Sequence, residues 1–172
     1  MDEASIRVAR LDDLPALHRL IENAYRGDGA RAGWTHESDL LADPRTSYEE
    51  LAAAVGDADK RILLAERNGV LVGCVEVAKT GEGVGYFGML TVDPTLQAAG
   101  LGKQLIAAAE RTAAETFGAT RMELAVVDKR PELIAYYERR GYVATGEVRP
   151  FPAPEAIPLR LLVFTKPLGS NP

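Results

Sequence analysis

The chain has 172 residues, of which 47% are apolar and 26% are charged, a balance typical of one globular domain rather than of a disordered chain. Twenty Lys and Arg against twenty-five Asp and Glu give a formal net charge of −5, which disfavours a nucleic-acid binder. One cysteine, Cys74, and two histidines exclude an internal disulfide and a Cys- or His-cluster metal site. We expect a single domain over residues 1–172, in a reducing, cytoplasmic setting and with no metal.

We expect no secretory signal in the N-terminal segment, because its sequence lacks the pattern of one. Met1 to Ile6 is polar and acidic and has no basic patch followed by an apolar run, as a secretory signal would have. The longest apolar stretches fall far short of the ~20 residues that span a bilayer. We therefore expect neither a membrane nor a nucleic-acid partner.

The first third of the chain predicts one strand followed by helices. Ser5 to Ala9 alternates apolar and polar residues, as a short strand does. Apolar residues then recur at helical spacing from about Asp12, the expected N-cap, to Tyr25. Thr35 is a candidate cap for a short second helix through Leu41. Ser47 and Glu50 have the spacing of a capping box, which opens a helix ending near Gly56.

The middle of the chain predicts three consecutive strands. Arg61–Arg67 and Val70–Lys79 flank Asn68-Gly69, a strong signal for a type I′ hairpin turn. After a turn from Thr80 to Gly83, a third strand runs from Val84 to Val92. The apolar period then changes from 2 to about 3.6, which predicts a helix with Leu101, Leu105 and Phe117 on one face.

The last third predicts a strand, a helix and two further strands. These are Arg121–Val127, a helix with Pro131 at its first position that stops at Gly141, then Tyr142–Val148 and Leu159–Lys166. The order of elements predicts an α/β domain with a mixed sheet.

The segment between the third strand of the middle run and the next helix favours an anion site. In Gln97-Ala98-Ala99-Gly100-Leu101-Gly102-Lys103, two glycines permit close approach to the backbone, and the first amides of the helix have no internal partner. Such a helix start suits a diphosphate. The alternative is a tight turn in which the glycines serve geometry alone. A Walker loop is excluded because Gln104 follows Lys103, and the dinucleotide motif lacks its third glycine.

Two motifs in the right order resemble the GNAT superfamily of acyl-CoA-dependent N-acetyltransferases. Gln97-x-x-Gly100-x-Gly102 is similar to the family's Q/R-x-x-G-x-G/A loop, preceded by Met89 to Pro94 as the strand that leads into it. The run from Leu133 to Tyr142 resembles the second signature, in which a helix ends in Gly and an aromatic residue. The resemblance covers nearly the whole chain. It implies a mixed, mostly antiparallel sheet of about seven strands, with flanking helices and a splayed central strand.

The resemblance also implies a site for acetyl-CoA as the acyl donor. The pantetheine arm would pair with the splayed strand, and the diphosphate would rest on the amides of the loop. Arg130 stands where the family often has an Asn and is a further candidate cofactor contact, while Ala98 stands where Gly is frequent. The implied cofactor-binding residues are Leu90, Thr91, Val92, Gln97, Ala98, Ala99, Gly100, Leu101, Gly102, Lys103 and Arg130.

Three residues are candidates for the chemistry. Tyr137 matches the tyrosine that donates a proton to the departing thiolate in this family, and its alternative role is that of a packed aromatic. Some relatives carry a Glu base on the central strand, and the residue aligned with it here is Tyr86. Glu76, on the neighbouring strand, is then a candidate base or a solvated strand-end residue. Glu123 is more simply a solvated or paired residue.

The acceptor pocket in this fold is usually built by the first two helices and the loop before the last strand. Tyr25, Trp34 and His36 are the candidate acceptor contacts in the first of these segments. An alternative role for Trp34 is to hold a loop in place, and the alternative for His36 is that of an exposed surface residue. The implied function is N-acetylation of a primary amine of a small molecule or peptide, by direct attack through a tetrahedral intermediate. The alternative is a GNAT-fold sensor that binds acyl-CoA without turnover. A homodimer is compatible with either.

Overall fold

The structure, a computed structural model, describes residues 4–25, 47–150 and 160–169; for Tyr25 and for Gln97 to Ala99 it describes the backbone only. The described elements are four α-helices and seven strands, with short 3-10 helices at Leu11–Asp13 and Pro94–Ala99. The elements are β1 Ser5–Val8, α1 Leu14–Tyr25, α2 Tyr48–Gly56, β2 Lys60–Arg67, β3 Val70–Gly81, β4 Val84–Val92, α3 Leu101–Phe117, β5 Arg121–Val127, α4 Pro131–Arg139, β6 Val143–Pro150 and β7 Arg160–Pro167.

The strands of the described residues form one mixed sheet in the order β1-β2-β3-β4-β5-β7-β6. Every neighbouring pair is antiparallel except β4 and β5, which run parallel because α3 connects them as a crossover. Asn68 and Gly69 have φ values of 54° and 78°, as the predicted β2–β3 hairpin turn requires. The mixed, mostly antiparallel sheet expected from the sequence is confirmed.

Helices cover the two faces of the sheet, and each face has its own apolar core. Side chains alternate along a strand, so Leu63, Val75 and Phe87 pack with α3 and α4 on one face, which we call the α3 face. Ile62, Leu64 and Cys74 pack with α1 and α2 on the opposite face, which we call the α1 face. Cys74 is fully buried there, as a small apolar residue would be.

The predicted helix starts are partly right. Ser47 caps α2 and accepts a hydrogen bond from the Glu50 amide at 3.2 Å, as the capping box predicts. The first helix is preceded by a 3-10 turn whose N-cap is Arg10 rather than the expected Asp12, because the Asp13 carboxylate accepts from the Arg10 amide at 2.7 Å. The expected helix from Thr35 to Leu41 lies outside the described residues.

A partly buried polar cluster holds the end of α4 against α3 and β7. Tyr142, fully buried after Gly141, donates to Glu110 Oε2 at 2.8 Å, and Lys166 Nζ lies 3.1 Å from the same oxygen. Burial, together with the Glu110 carboxylate, raises the pKa of Tyr142 far above its usual value. The phenol therefore stays a neutral donor and holds α4 in place beside β4.

Candidate active site

The β4–β5 pair defines the site because the two parallel strands separate part-way along. Their register consists of Val84 with Arg121, Gly85 with Met122, and Tyr86 with Glu123. Beyond that last pair, β4 continues to Val92 and β5 continues to Val127 without pairing with each other. The central strand is splayed as expected, and a slot opens between the two strands at their carboxyl ends.

A β-bulge marks β4 at the beginning of this slot. Cys74 pairs with Thr91 and Glu76 with Gly88, so that Met89 and Leu90 together oppose the single residue Val75. Met89 has a φ of 54°, which a residue with a side chain rarely adopts. The fully buried Thr91 hydroxyl donates to the Met89 carbonyl at 2.9 Å and supports this conformation. The bulge redirects the backbone of β4 where the predicted residues Leu90, Thr91 and Val92 line the slot.

The loop after β4 brings the start of α3 to the mouth of the slot. Asp93 caps the 3-10 helix Pro94–Ala99 by accepting from the Thr95 amide at 3.0 Å. Gly100, at a φ of 80°, then turns the chain into α3. The first intrahelical bond comes from Gln104 to the Gly100 carbonyl, so the amides of residues 101–103 precede it. This geometry is that of an anion-binding site, and the exposed Lys103 follows Gly102 beside it.

Tyr136 lies over the first turn of α3, and the sequence analysis did not assign it to the site. A Cβ added to Gly102 would lie 2.7 Å from the Tyr136 hydroxyl oxygen, so a side chain at position 102 would force the tyrosine to shift. The Arg140 guanidinium lies over the Tyr136 ring, 5.1 Å from the ring centroid. Burial raises the pKa of Tyr136, which keeps the phenol protonated. The only sequence signal for this contact is the absence of a side chain at position 102.

Tyr137 lies on the α3 face where β4 and β5 begin to separate. Its ring is 5.8 Å from that of Phe87, the first residue of β4 beyond the last pair with β5, in an edge-to-face arrangement. Tyr142 packs against it at 6.3 Å, and Tyr137 is only 6% exposed. The two adjacent tyrosines of α4 therefore differ in position, since Tyr136 covers Gly102 and Tyr137 reaches the splay.

The opposite face of the sheet carries Glu76 and Tyr86. Glu76 pairs with Gly88 across the β3–β4 ladder, and Tyr86 shares their face two residues earlier on β4. The Tyr86 ring lies beside Gly88, with Cε1 3.3 Å from where a Cβ would stand. Both candidate residues thus flank the β4 bulge on the α1 face.

Three further charged residues surround Tyr86, and the sequence analysis did not place them in the site. Arg121 Nη2 lies 3.2 Å and Arg149 Nη2 lies 3.5 Å from the Glu123 carboxylate, which is therefore a paired residue. Together with Tyr86 they line a polar cavity of 340 Å³. The sequence carries no signal for these contacts, because the register that puts Glu123 beside Tyr86 joins residues far apart in the chain.

The remaining predicted residues fall into two groups. Arg130 is the residue before α4 and is 5% exposed, with its Nε 2.9 Å from Glu132 Oε1, so it is a buried cation rather than an exposed one. Trp34 and His36 lie outside the described residues, as does the side chain of Tyr25.

Within the described ranges, no group of His, Cys, Asp and Glu side chains is arranged to hold a metal ion. None of the described helices combines the length and apolar composition needed to span a membrane.

The family model of the GNAT acetyltransferases matches residues 16–142, which include both sequence motifs, the splayed strands and the start of α3. The chain belongs to the GNAT acetyltransferase family. No curated protein matches this acetyltransferase by sequence.

Solved acetyltransferase structures share its fold. A spermidine N-acetyltransferase SpeG chimera from Vibrio cholerae and hSSAT is 18% identical with a TM-score of 0.75, over 96% of each chain. The ribosomal-protein-S18-alanine N-acetyltransferase from Escherichia coli is 19% identical with a TM-score of 0.74, over 98% of this chain and 96% of that one. The PaiA N-acetyltransferase from Thermoplasma acidophilum, in complex with coenzyme A, is 16% identical with a TM-score of 0.74, over 95% and 98%.

Proposed function

We propose that this acetyltransferase uses acetyl-CoA to acetylate a primary amine of a small molecule or peptide. The observation that carries the proposal is the slot between β4 and β5, which opens directly onto the first turn of α3. One end of the slot suits an extended arm with backbone hydrogen-bonding groups, and the other end suits a diphosphate. The coenzyme A complex of the fold neighbour from Thermoplasma acidophilum supports the same donor.

The residues present fit the donor. The amides of residues 101–103 would bind the diphosphate, since the positive end of the α3 dipole lies behind them. Gly102 allows the Tyr136 hydroxyl to lie against this turn, since a Cβ there would stand 2.7 Å from the hydroxyl oxygen. Leu90, Thr91 and Val92 would face the pantetheine arm, and the loop residues Gln97 to Ala99 would complete the diphosphate site. Arg130 would lie close to the arm at the start of α4.

The reaction joins the acceptor nitrogen to the thioester carbonyl carbon and releases the thiol. A backbone amide at the β4 bulge would stabilise the oxyanion that forms, because the bulge turns the peptide groups at Met89 out of the regular ladder. Tyr137 would donate its hydroxyl proton toward the departing sulfur. A phenol has a pKa of about 10, so it holds its proton at neutral pH until the sulfur gains negative charge and accepts it. The tyrosinate then regains a proton from solvent.

The acceptor must be a neutral amine when it attacks, so its ammonium form has to lose a proton. Glu76 is the proposed base, because it flanks the β4 bulge on the face opposite Tyr137. Tyr86, beside Gly88 on that face, would contact the acceptor. Tyr25, Trp34 and His36 remain the proposed residues of the outer acceptor pocket.

The experiment that tests the proposal is calorimetric titration with acetyl-CoA, with CoA and with ATP. We expect micromolar binding of acetyl-CoA and CoA and none of ATP, followed by thiol release in the presence of an acceptor amine. Binding without thiol release over a broad panel of amines would favour the sensor, which binds acyl-CoA and does not turn over. Absence of binding to both CoA species would contradict the proposal.

A further inference from the structure

The 340 Å³ cavity on the α1 face adjoins the slot and has a chemistry of its own. Its volume falls in the range of small-molecule sites. Tyr86 and Glu123, which form the last pair of the β4–β5 ladder, both line it, so the cavity borders the point where the strands separate. Thr80, Gly81, Val84, Arg121 and Arg149 complete the lining.

The charged groups of this cavity form a network of arginines and carboxylates. Among the described residues of the lining, Glu123 is the carboxylate, and the guanidiniums of Arg121 and Arg149 both lie against it. Glu147, which is outside the lining, accepts from Arg149 Nε at 2.7 Å. In the part of the chain that the structure describes, these carboxylates engage Nη2 of Arg121 and Nε and Nη2 of Arg149. Each guanidinium has five N–H groups, which leaves donors for a further carboxylate.

The long Arg149 side chain extends across the sheet to reach the cavity. The Arg149 backbone pairs with Leu161, which pairs with Val127 at the far end of β5. Its guanidinium nevertheless reaches Glu123, four residues and about 13 Å earlier on that strand. The guanidinium therefore lies over the α1 face of β5, on the side of the slot from which an acceptor would approach.

The distance from the cavity to the reacting centre limits the size of the acceptor. Gly88, at the edge of the bulge, is two residues and about 7 Å from Tyr86 along β4. The Tyr86 ring spans this interval, since it contacts the position of a Gly88 Cβ and also lines the cavity. A molecule that reaches from the bulge into the cavity has its two functional groups separated by a few bonds.

We propose that Arg149 and Arg121 bind a carboxylate of the acceptor, which makes the acceptor a small amino acid with its amine a few bonds from its carboxylate. This inference rests on the proposed N-acetyltransferase function and specifies its substrate class. Polyamines are poor substrates in this proposal, because an ammonium group cannot accept hydrogen bonds from the guanidiniums. The guanidiniums orient the acceptor and take no part in the proton transfers.

The test compares matched acceptors that differ in the carboxylate alone. The rate of thiol release from acetyl-CoA is measured with 4-aminobutanoate, with 4-aminobutanamide and with putrescine. We expect kcat/KM for the acid to exceed that for the amide by more than about tenfold, the effect of one charge-assisted hydrogen bond. Equal values for the acid and the amide, or a preference for putrescine, would overturn the carboxylate site and leave the transferase function intact.

Substitutions of the two arginines test whether they cause the preference for the acid over the amide. Arg149→Gln and Arg121→Gln should lower the acid-to-amide ratio toward one through KM, with calorimetric affinity for CoA unchanged. Arg160→Gln is the matched control, because Arg160 also pairs with an acidic residue, Asp128 at 3.4 Å, but lies on the other face of the sheet. A ratio that persists in the double variant Arg149→Gln, Arg121→Gln would overturn the assignment.

A binding measurement keeps the proposal testable if none of the three amines is acetylated. The CoA-saturated protein is titrated with 4-aminobutanoate and with 4-aminobutanamide. Tighter binding of the acid, lost in Arg149→Gln, supports the site without turnover. Equal or undetectable binding of both overturns it, whereas failure of the protein to bind CoA in the first place contradicts the proposed function itself.

Discussion

Tyr137 combines a buried ring with a position at the opening of the slot. The edge-to-face contacts with Phe87 and Tyr142 hold the ring, and these contacts involve carbon atoms that phenylalanine also has. Removing the hydroxyl alone therefore separates the proposed proton transfer from the packing. Truncation to alanine would instead remove a large core side chain, at about 3–5 kcal/mol, and would confuse the two effects.

Tyr137→Phe should lower kcat by about a hundredfold, the lower end of what a general acid contributes, with little change in the affinity for CoA. Steady-state kinetics together with calorimetry measures both quantities. Tyr48→Phe is the matched control, since Tyr48 is 47% exposed on α2 and stacks on His18. An unchanged kcat in a folded Tyr137→Phe protein would reduce Tyr137 to a packing residue.

At the scale of elements, α3 lies so close to β4 that one strand residue has no room for a side chain. A Cβ added to Gly85 would stand 2.8 Å from the Ala113 Cβ of α3 and 3.2 Å from the Met122 sulfur of β5. Gly85 thus sets the distance between helix and sheet on the α3 face.

Gly85→Ala should lower the free energy of unfolding by about 1–3 kcal/mol, the typical effect of overpacking a dense core. Urea unfolding followed by circular dichroism measures the loss. Gly56→Ala is the control, because its added Cβ meets nothing within 4 Å at the end of α2. Stability equal to that of the wild type in Gly85→Ala would mean that α3 moves away from the sheet without penalty.

At the scale of the whole molecule, charged residues attach the edge strand β1 to the rest of the sheet. The Arg7 guanidinium lies 2.7 Å from Asp13 Oδ1 and 3.0 Å from Glu66 Oε1, so it joins β1, the turn before α1 and β2. The hydrogen bond from Arg7 lowers the pKa of the Asp13 carboxyl from 3.8 to about 2. Because its pKa is lower in the folded state, the carboxylate stabilises the fold at a pH above about 4. That stability is lost as the pH falls from about 4 to about 2.

Asp13→Asn should therefore be less stable than the wild type above pH 4, and the difference should shrink as the pH approaches 2. Denaturant unfolding at a series of pH values between 2 and 7 measures the two profiles. Asp12→Asn, which changes the neighbouring exposed carboxylate, should follow the wild-type profile. A constant difference between Asp13→Asn and the wild type at every pH would contradict this role of the Arg7 pair.

The amino-acid sequence by itself determined most elements and the family of this protein. The hairpin at Asn68-Gly69, the cap at Ser47 and the change of period after Val92 are local patterns, because turn geometry, capping and amphipathicity depend on residues close together in the chain. The start of α3 was predictable for the same reason. The 3-10 turn at Leu11–Asp13 was missed although its contact, from the Arg10 amide to the Asp13 carboxylate, is also local, because Asp12 equally fits a helix N-cap.

The tertiary structure alone decided where β4 and β5 separate, what Tyr136 lies against, and what surrounds Tyr86. Each of these depends on contacts between residues far apart in the chain, for which a single sequence carries no periodic signal. Arg149 reaches Glu123 from two strands away, and Tyr136 meets Gly102 because α4 packs beside α3. The sequence thus supplied the chemistry of the donor site, and the sheet supplied the charged cavity on the acceptor side.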